Sequence, residues 1–242
     1  MAKWLLWVIA VALACISVVP AQSSAALVSN GGFEGGTFSG WTVVNQGSGD
    51  WFVYDGALTP LNGFRIPVPP EGEFAATTDQ RGPGSHVLYQ DVALEAGFHH
   101  RLTFTVYYRN RNGEFVTPPT LGHNGPPNQQ YRVDVLSPSA PVKSVAPGDM
   151  LATVFRTKVG DPARMAPTPT SFDLTGFAGT TVRIRFAEVD NQLFFRASVD
   201  NVEITSSPVL KKECKKGGWR TFGSSFENQG DCVTFAVTQV AS

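Results

Sequence analysis

Ten segments of the chain alternate apolar or aromatic residues with polar ones, and clusters of Gly, Pro and Asn separate them. They span residues 41–44, 51–54, 74–77, 86–92, 100–108, 131–136, 151–159, 170–174, 181–189 and 197–204. The period is two, as half-buried strands require, and no helical period of useful length runs between the two ends of the chain. Short strands at this spacing predict an all-β sandwich. Parity then sorts the faces. Leu102, Phe104, Val106 and Tyr108 share one side of their strand, and Thr103, Thr105 and Tyr107 share the other. Val133 and Val135 oppose Arg132 and Asp134, while Val182, Ile184 and Phe186 oppose Arg183 and Arg185.

If these three strands are neighbours, one outer face carries Thr103, Thr105, Tyr107, Arg132, Asp134, Arg183 and Arg185. That ladder reads in two ways. It is a solvated sheet face with cross-strand charges, each worth little, or it is a concave sugar-binding face on which Arg and Asp bond hydroxyls and the Tyr107 ring stacks on a pyranose. Trp51 and Tyr54, just before the Asp55-Gly56 turn, divide in the same way: a stacking platform, or alternate rings of a core strand. Phe194 and Phe195 follow Asp190-Asn191, which makes one of them a candidate exposed ring at the rim. The longest irregular stretch, residues 110–130, holds Pro118-Pro119 and Pro126-Pro127. It either walls one end of a cleft or is disordered. Two further Pro-rich loops, residues 66–72 and 160–169, carry the same ambiguity.

The segment Leu27 to Val44 reads as the opening strand, with Gly31-Gly32 and Gly35-Gly36 bracketing Phe33 and Glu34 so that the backbone turns and holds one ring inward beside one carboxylate. At the far end Val199-Asp200-Asn201-Val202-Glu203-Ile204 also carries an acid within an apolar run. The N-G-x-F-E segment with a Trp after it, and the closing Asp-Asn-Val-x-Ile, resemble the first and last strands of galactose-binding-like jelly rolls found in secreted carbohydrate-binding modules. The stretch His86 to Val92, with Ala96-Gly97 and then Arg101 to Tyr108, is similar to the middle of the same fold. The resemblance implies a jelly-roll β-sandwich over residues 27–205 that binds extracellular or cell-wall carbohydrate. It also implies a structural calcium ion held by Glu34, Asp200 and the carbonyl of Gly32, since hard cations take carboxylate and carbonyl oxygens. Against this stands Glu34 as an ordinary solvated acid, or either acid simply bonding backbone N–H groups.

Composition refines the picture. Lys3 precedes an apolar stretch from Trp4 to Val19 and then a small, polar Pro20 to Ala26, a secretory signal with cleavage expected after Ala25, or one residue later. An uncleaved anchor is the alternative. No other run approaches the ~20 apolar residues of a spanning helix. The net charge of −1 gives no footprint for nucleic acid. Removing the signal takes Cys15 and leaves Cys214 and Cys232, an even pair expected to bridge in an oxidising compartment. That bridge is worth ~3 kcal/mol in the chain-entropy model.

Residues 209–242 form a second piece, more basic than the rest, after the Ser206-Ser207-Pro208 boundary. Its C-K-x-G-G-W-x-x-F…N-Q-G-x-C pattern resembles a short C-terminal module of bacterial secreted proteins. Trp219, Phe222, Phe226 and Phe235 supply a mini-core too small to stand without the bridge. It is either a surface anchor or a tail docked on the sandwich. Catalytic signatures are missing: no G-x-S-x-G, no H-E-x-x-H and no metal-site spacing among the histidines. The expected protein is therefore a secreted, non-catalytic carbohydrate binder. A structural or adhesive surface protein is the alternative, and a polysaccharide hydrolase, which needs only two carboxylates, is the lesser one.

Overall fold

Ten strands pair into two antiparallel sheets of five. A computed structural model describes residues 27–240; the expected signal segment, residues 1–25 with Cys15, lies outside them. The first sheet runs β1 (Thr42–Gly47), β4 (Gly84–Ala93), β9 (Thr181–Asp190), β6 (Gln129–Leu136), β7 (Met150–Arg156). The second runs β2 (Asp50–Asp55), β3 (Phe74–Asp79), β10 (Phe195–Pro208), β5 (Phe98–Asn110), β8 (Arg164–Asp173). The chain passes repeatedly from one sheet to the other, as in a jelly roll, and its last two strands fill central slots: β9 between β4 and β6, β10 between β3 and β5.

The period-two pattern places the core. Leu102, Phe104 and Val106 of β5 pack with Val133, Val135, Val182, Ile184 and Phe186 of the opposite sheet. Phe104 meets Phe186 edge-on at 5.5 Å. Burying each such side chain contributes about 1.5–3 kcal/mol, so the inward faces of these strands account for much of the driving force.

Three expectations change. β5 belongs to the second sheet and β6 and β9 to the first, so the proposed single polar ladder is divided between two faces on opposite sides of the molecule. Parity fixes which side of a strand a residue occupies, but not which sheet the strand joins. β8 begins at Arg164, within a stretch expected to be a Pro-rich loop. Pro167 and Pro169 are two apart, so their missing donors fall on one side, which an edge strand can leave unpaired. Residues 27–41 are successive turns rather than a strand, with Asn30 and Phe33 at φ 49° and 59°. This segment still meets the closing strand: Val202 N–H donates to Gly31 O at 2.9 Å, and a Cβ on Gly31 would lie 1.8 Å from Val202 O, which only glycine avoids. Phe33 is fully buried, as expected of a core plug. Gln90 anchors the segment by accepting from Ser29 N–H and donating to Ser29 O.

After β10 the chain forms kinked 3-10 turns (Lys215–Phe222) and one helix, α1 (Gln229–Val240), joined by the Cys214–Cys232 disulfide. Phe222, Phe226 and the bridge form a small core with Trp219 and Phe235 packed on it. The module docks on the start of β5, where Phe98 meets Phe235 at 5.9 Å and His99 meets Phe222 at 4.7 Å. No helix among the described residues is long and apolar enough to cross a membrane.

Candidate functional site

The two outer faces are built very differently. On the first sheet, Arg132 forks onto Asp134 through Nε and Nη2 at 2.7 and 2.8 Å, and Arg185 Nη2 reaches the same carboxylate at 2.5 Å. Arg183 forks onto Asp91. Other donors turn to the β6–β7 loop, Arg183 to the carbonyls of Pro138 and Ala140 and Arg185 to those of Val142 and Ser144, while Arg185 Nε stays buried without a hydrogen bond. Arg132, Asp134 and Arg185 are at most 2 % exposed. Burial pulls the Arg185 guanidinium down, and Asp134 opposes that pull. Leu121 of residues 111–128 and Val145 cover the apolar positions beside them, Val87, Ala187 and Val189. The long loop is thus pinned to the sheet, with Asn128 and Gln130 donating to its carbonyls. It is neither a cleft wall nor loose; of the four charged candidates on this face, Arg183 and Arg185 hold the β6–β7 loop in place, while Arg132 and Asp134 pair with each other and Asp134 also accepts from Thr153 of β7.

The outer face of the second sheet carries an open cleft of about 560 Å³. Tyr107, Ser198 and Arg196 line it from β5 and β10, Met165 and Ala166 from β8, and Ile66 and Pro67 from the β2–β3 loop. Tyr54 and Tyr107 come together at this face. Their hydroxyls lie 2.6 Å apart, and Tyr54 donates to Pro67 O at 2.8 Å. Burial pushes both phenols well up, so both stay neutral. The Tyr107 ring is only 1 % exposed, however, so it is a wall of the cleft rather than a stacking platform. Trp51 is not part of the cleft: the odd parity of β2 points it into the core, where it is 2 % exposed.

Beside the cleft, the expected calcium ligands gather round the turn before β3. Glu34 accepts the N–H groups of Glu73 and Phe74, and Asp200 accepts those of Glu71 and Asn201. A Cβ on Gly32 would lie 3.0 Å from Glu71 Oε2, which brings a third acid, unforeseen from sequence, to the same place. Asp200 is pushed up to about 7 by burial, with Glu71 and Glu34 adding to the shift against its backbone N–H bonds. The carboxylates are turned to backbone donors, and no three acids, His or Cys among the described residues are arranged to hold a metal.

The residues that sequence reasoning missed are Arg65, Arg109, Arg164 and Arg196, which also line the cleft. A signal existed for two of them: continuing the alternation of β5 past Tyr107 puts Arg109 on its side, and the inward Ala197 and Val199 put Arg196 outward.

No protein-family model and no curated protein matches this chain. Its structural neighbours include the carbohydrate-binding module TmCBM61, solved with β-1,4-galactotriose, at 18% identity over 76% of this chain and 100% of the other, with a TM-score of 0.47. The K1 adhesin domain of Lys-gingipain from Porphyromonas gingivalis matches at 13% identity over 73% and 96% of the two chains, TM-score 0.45. A Stig cyclase from Fischerella sp. TAU matches at 18% identity over 76% and 98%, TM-score 0.42. Likenesses of this strength decide nothing about ligand. The sandwich stands on its own strand order and register.

Proposed function

We propose that the protein is a secreted, non-catalytic carbohydrate-binding β-sandwich whose ligand occupies the cleft on the outer face of the second sheet. The observation that carries this reading is the cleft itself, a concave site within the size range of small-ligand pockets with apolar and polar groups on its walls. No carboxylate among the described residues lines it, whereas glycoside hydrolysis requires two acids about 5–10 Å apart. The disulfide supports an oxidising, extracytoplasmic location.

The test is binding to a polysaccharide panel by affinity electrophoresis, with Ala166→Trp as the variant. Ala166 is exposed on the edge strand, so the larger ring fills the cleft without entering the core. Binding by the parent and its loss in Ala166→Trp are expected. Binding to no polysaccharide at all favours a structural or adhesive protein instead, and new reducing ends in the mixture point to a hydrolase.

Calcium at Glu34, Asp200 and the Gly32 carbonyl is a separate proposal, which rests on Glu34 and Asp200 meeting at one turn, although both carboxylates are engaged by backbone N–H groups there. Because the folded-state value of about 7 lies above the ~3.9 of an unfolded Asp, the stabilising share of Asp200 is full below ~3.9 and is lost as pH rises through about 7. An ion bound there offsets that loss, by ~2.7 kcal/mol at a hundredfold excess over Kd. EDTA is therefore expected to lower the melting midpoint more at pH 8 than at pH 5, and to do nothing in Asp200→Asn. A midpoint unmoved by EDTA at either pH removes the ion.

A further inference from the structure

The cleft is electrically one-sided. Arg65 comes from the β2–β3 loop, Arg109 from β5, Arg164 from β8 and Arg196 from β10, so four separate segments each deliver one guanidinium to a cleft that no carboxylate lines. Arg65, Arg109 and Arg164 make no ion pair among the described residues. Desolvation, and after it the charges of Arg164 and Arg111, pull the Arg109 guanidinium down.

Arg196 is the most constrained of the four. It is 2 % exposed, and its guanidinium lies 4.1 Å over the Phe64 ring. Its nearest acid is Asp79, with Nε 3.5 Å from Oδ1. That carboxylate is already occupied: Oδ2 accepts from Leu61 N–H and Asn62 N–H at 3.0 and 2.8 Å, and Oδ1 from Asn62 Nδ2 at 2.6 Å. Nε and Nη2 of Arg196 are left buried without a hydrogen bond. Like charges around one cavity repel, and an anion in the cleft offsets that repulsion.

We infer that the cleft selects an anionic sugar, one bearing a carboxylate or a sulfate, held by Arg109, Arg164 and Arg196 with Arg65 on the facing wall. Guanidinium groups suit this task because their planar forks match both oxyanions in bidentate geometry. Single-stranded nucleic acid is the less favoured anion. It needs exposed rings on which bases stack, and Tyr107 and Tyr108 are 1 % and 6 % exposed.

This inference rests on the carbohydrate reading, and the choice of probes separates the two. Affinity is measured for polygalacturonate, chondroitin sulfate, a neutral galactan and a single-stranded oligonucleotide, at low and high salt. The carboxylate or the sulfate polymer is expected to bind at least tenfold tighter than the galactan, and whichever binds more tightly identifies the group recognised. The preference is expected to weaken with salt. The double variant Arg109→Gln, Arg164→Gln is expected to lose tenfold or more for the anionic polymer and little for the galactan. These two side chains are half-buried and exposed, so a thermal melt serves to confirm that the variant is folded. Equal affinity for neutral and anionic polymers, or an unchanged affinity in the double variant, overturns the anion inference and leaves the carbohydrate reading standing. Binding of the oligonucleotide alone, or of nothing, overturns both.

Discussion

The outer faces of the two sheets use the same residue types to opposite ends. On the first sheet Arg132, Arg183 and Arg185 meet Asp91 and Asp134 and the carbonyls of residues 138–144, so that each guanidinium finds an acceptor within the chain. On the second sheet Arg109 and Arg164 make no ion pair among the described residues, and Arg196 reaches only Asp79, at 3.5 Å. The difference comes from the loops. Residues 111–128 and 137–149 lie across the first face and convert its charges into fastenings, whereas the β2–β3 loop reaches only part of the second face and leaves a cleft beside it. An arginine on a sheet thus says little about binding until its acceptors have been counted.

The sharpest way to break this comparison is to replace Arg185 by Ala. Removing one partner of a buried pair leaves Asp134 with a charge it shares only with Arg132, and frees two loop carbonyls. A loss of about 3–5 kcal/mol is expected, read as a fall in the thermal midpoint of roughly 6–20 °C. An unchanged midpoint would show that the covered face is not fastened by its charges.

A smaller effect is expected at the module that abuts the second sheet. Replacing Cys214 and Cys232 by Ser is expected to cost about 3 kcal/mol locally. Hydrogen exchange is expected to show faster amides in residues 209–240 and unaltered protection in β5 and β10. Equal loss of protection in those strands would make the module an integral part of the open face.

The smallest effect belongs to the cleft. Arg109→Gln with Arg164→Gln is expected to change stability by no more than ~0.5 kcal/mol, measured by urea unfolding, because neither side chain makes an ion pair among the described residues. A cost as large as that of Arg185→Ala would mean that these arginines are structural too.

What the chain reveals before folding follows the same division. Local alternation was enough to find the strands and to sort Leu102, Phe104 and Val106 inward from Thr103, Thr105 and Tyr107, because the period of two is a property of the strand itself. The aromatic mini-core and the Cys214–Cys232 bridge were legible from the composition of the tail. The division of the polar ladder between two sheets was not, because pairing partners lie far apart in sequence: β9 carries Arg183 and Arg185 beside β6, while β5 pairs with β10. Nor was the convergence of Arg65, Arg109, Arg164 and Arg196, which come from segments separated by dozens of residues and meet only when β8 takes the edge beside β5. The prolines of β8 concealed its first half, since the same residues mark loops elsewhere in the chain, whereas its second half was legible at residues 170–174.

The central positions of β9 and β10 also set the order in which the molecule can assemble on a ribosome. Every strand before Thr181 emerges first, yet in each sheet the slot joining the earlier strands stays empty until the last two strands are made. A nascent chain of up to about 180 residues therefore exposes unpaired edges on both sheets, β4 and β6 in one, β3 and β5 in the other. Such edges are slow to satisfy, because their partners are distant in sequence, and they are prone to pair with the wrong chain. This protein closes both sheets late, so its unfinished chain is the form most in need of a chaperone.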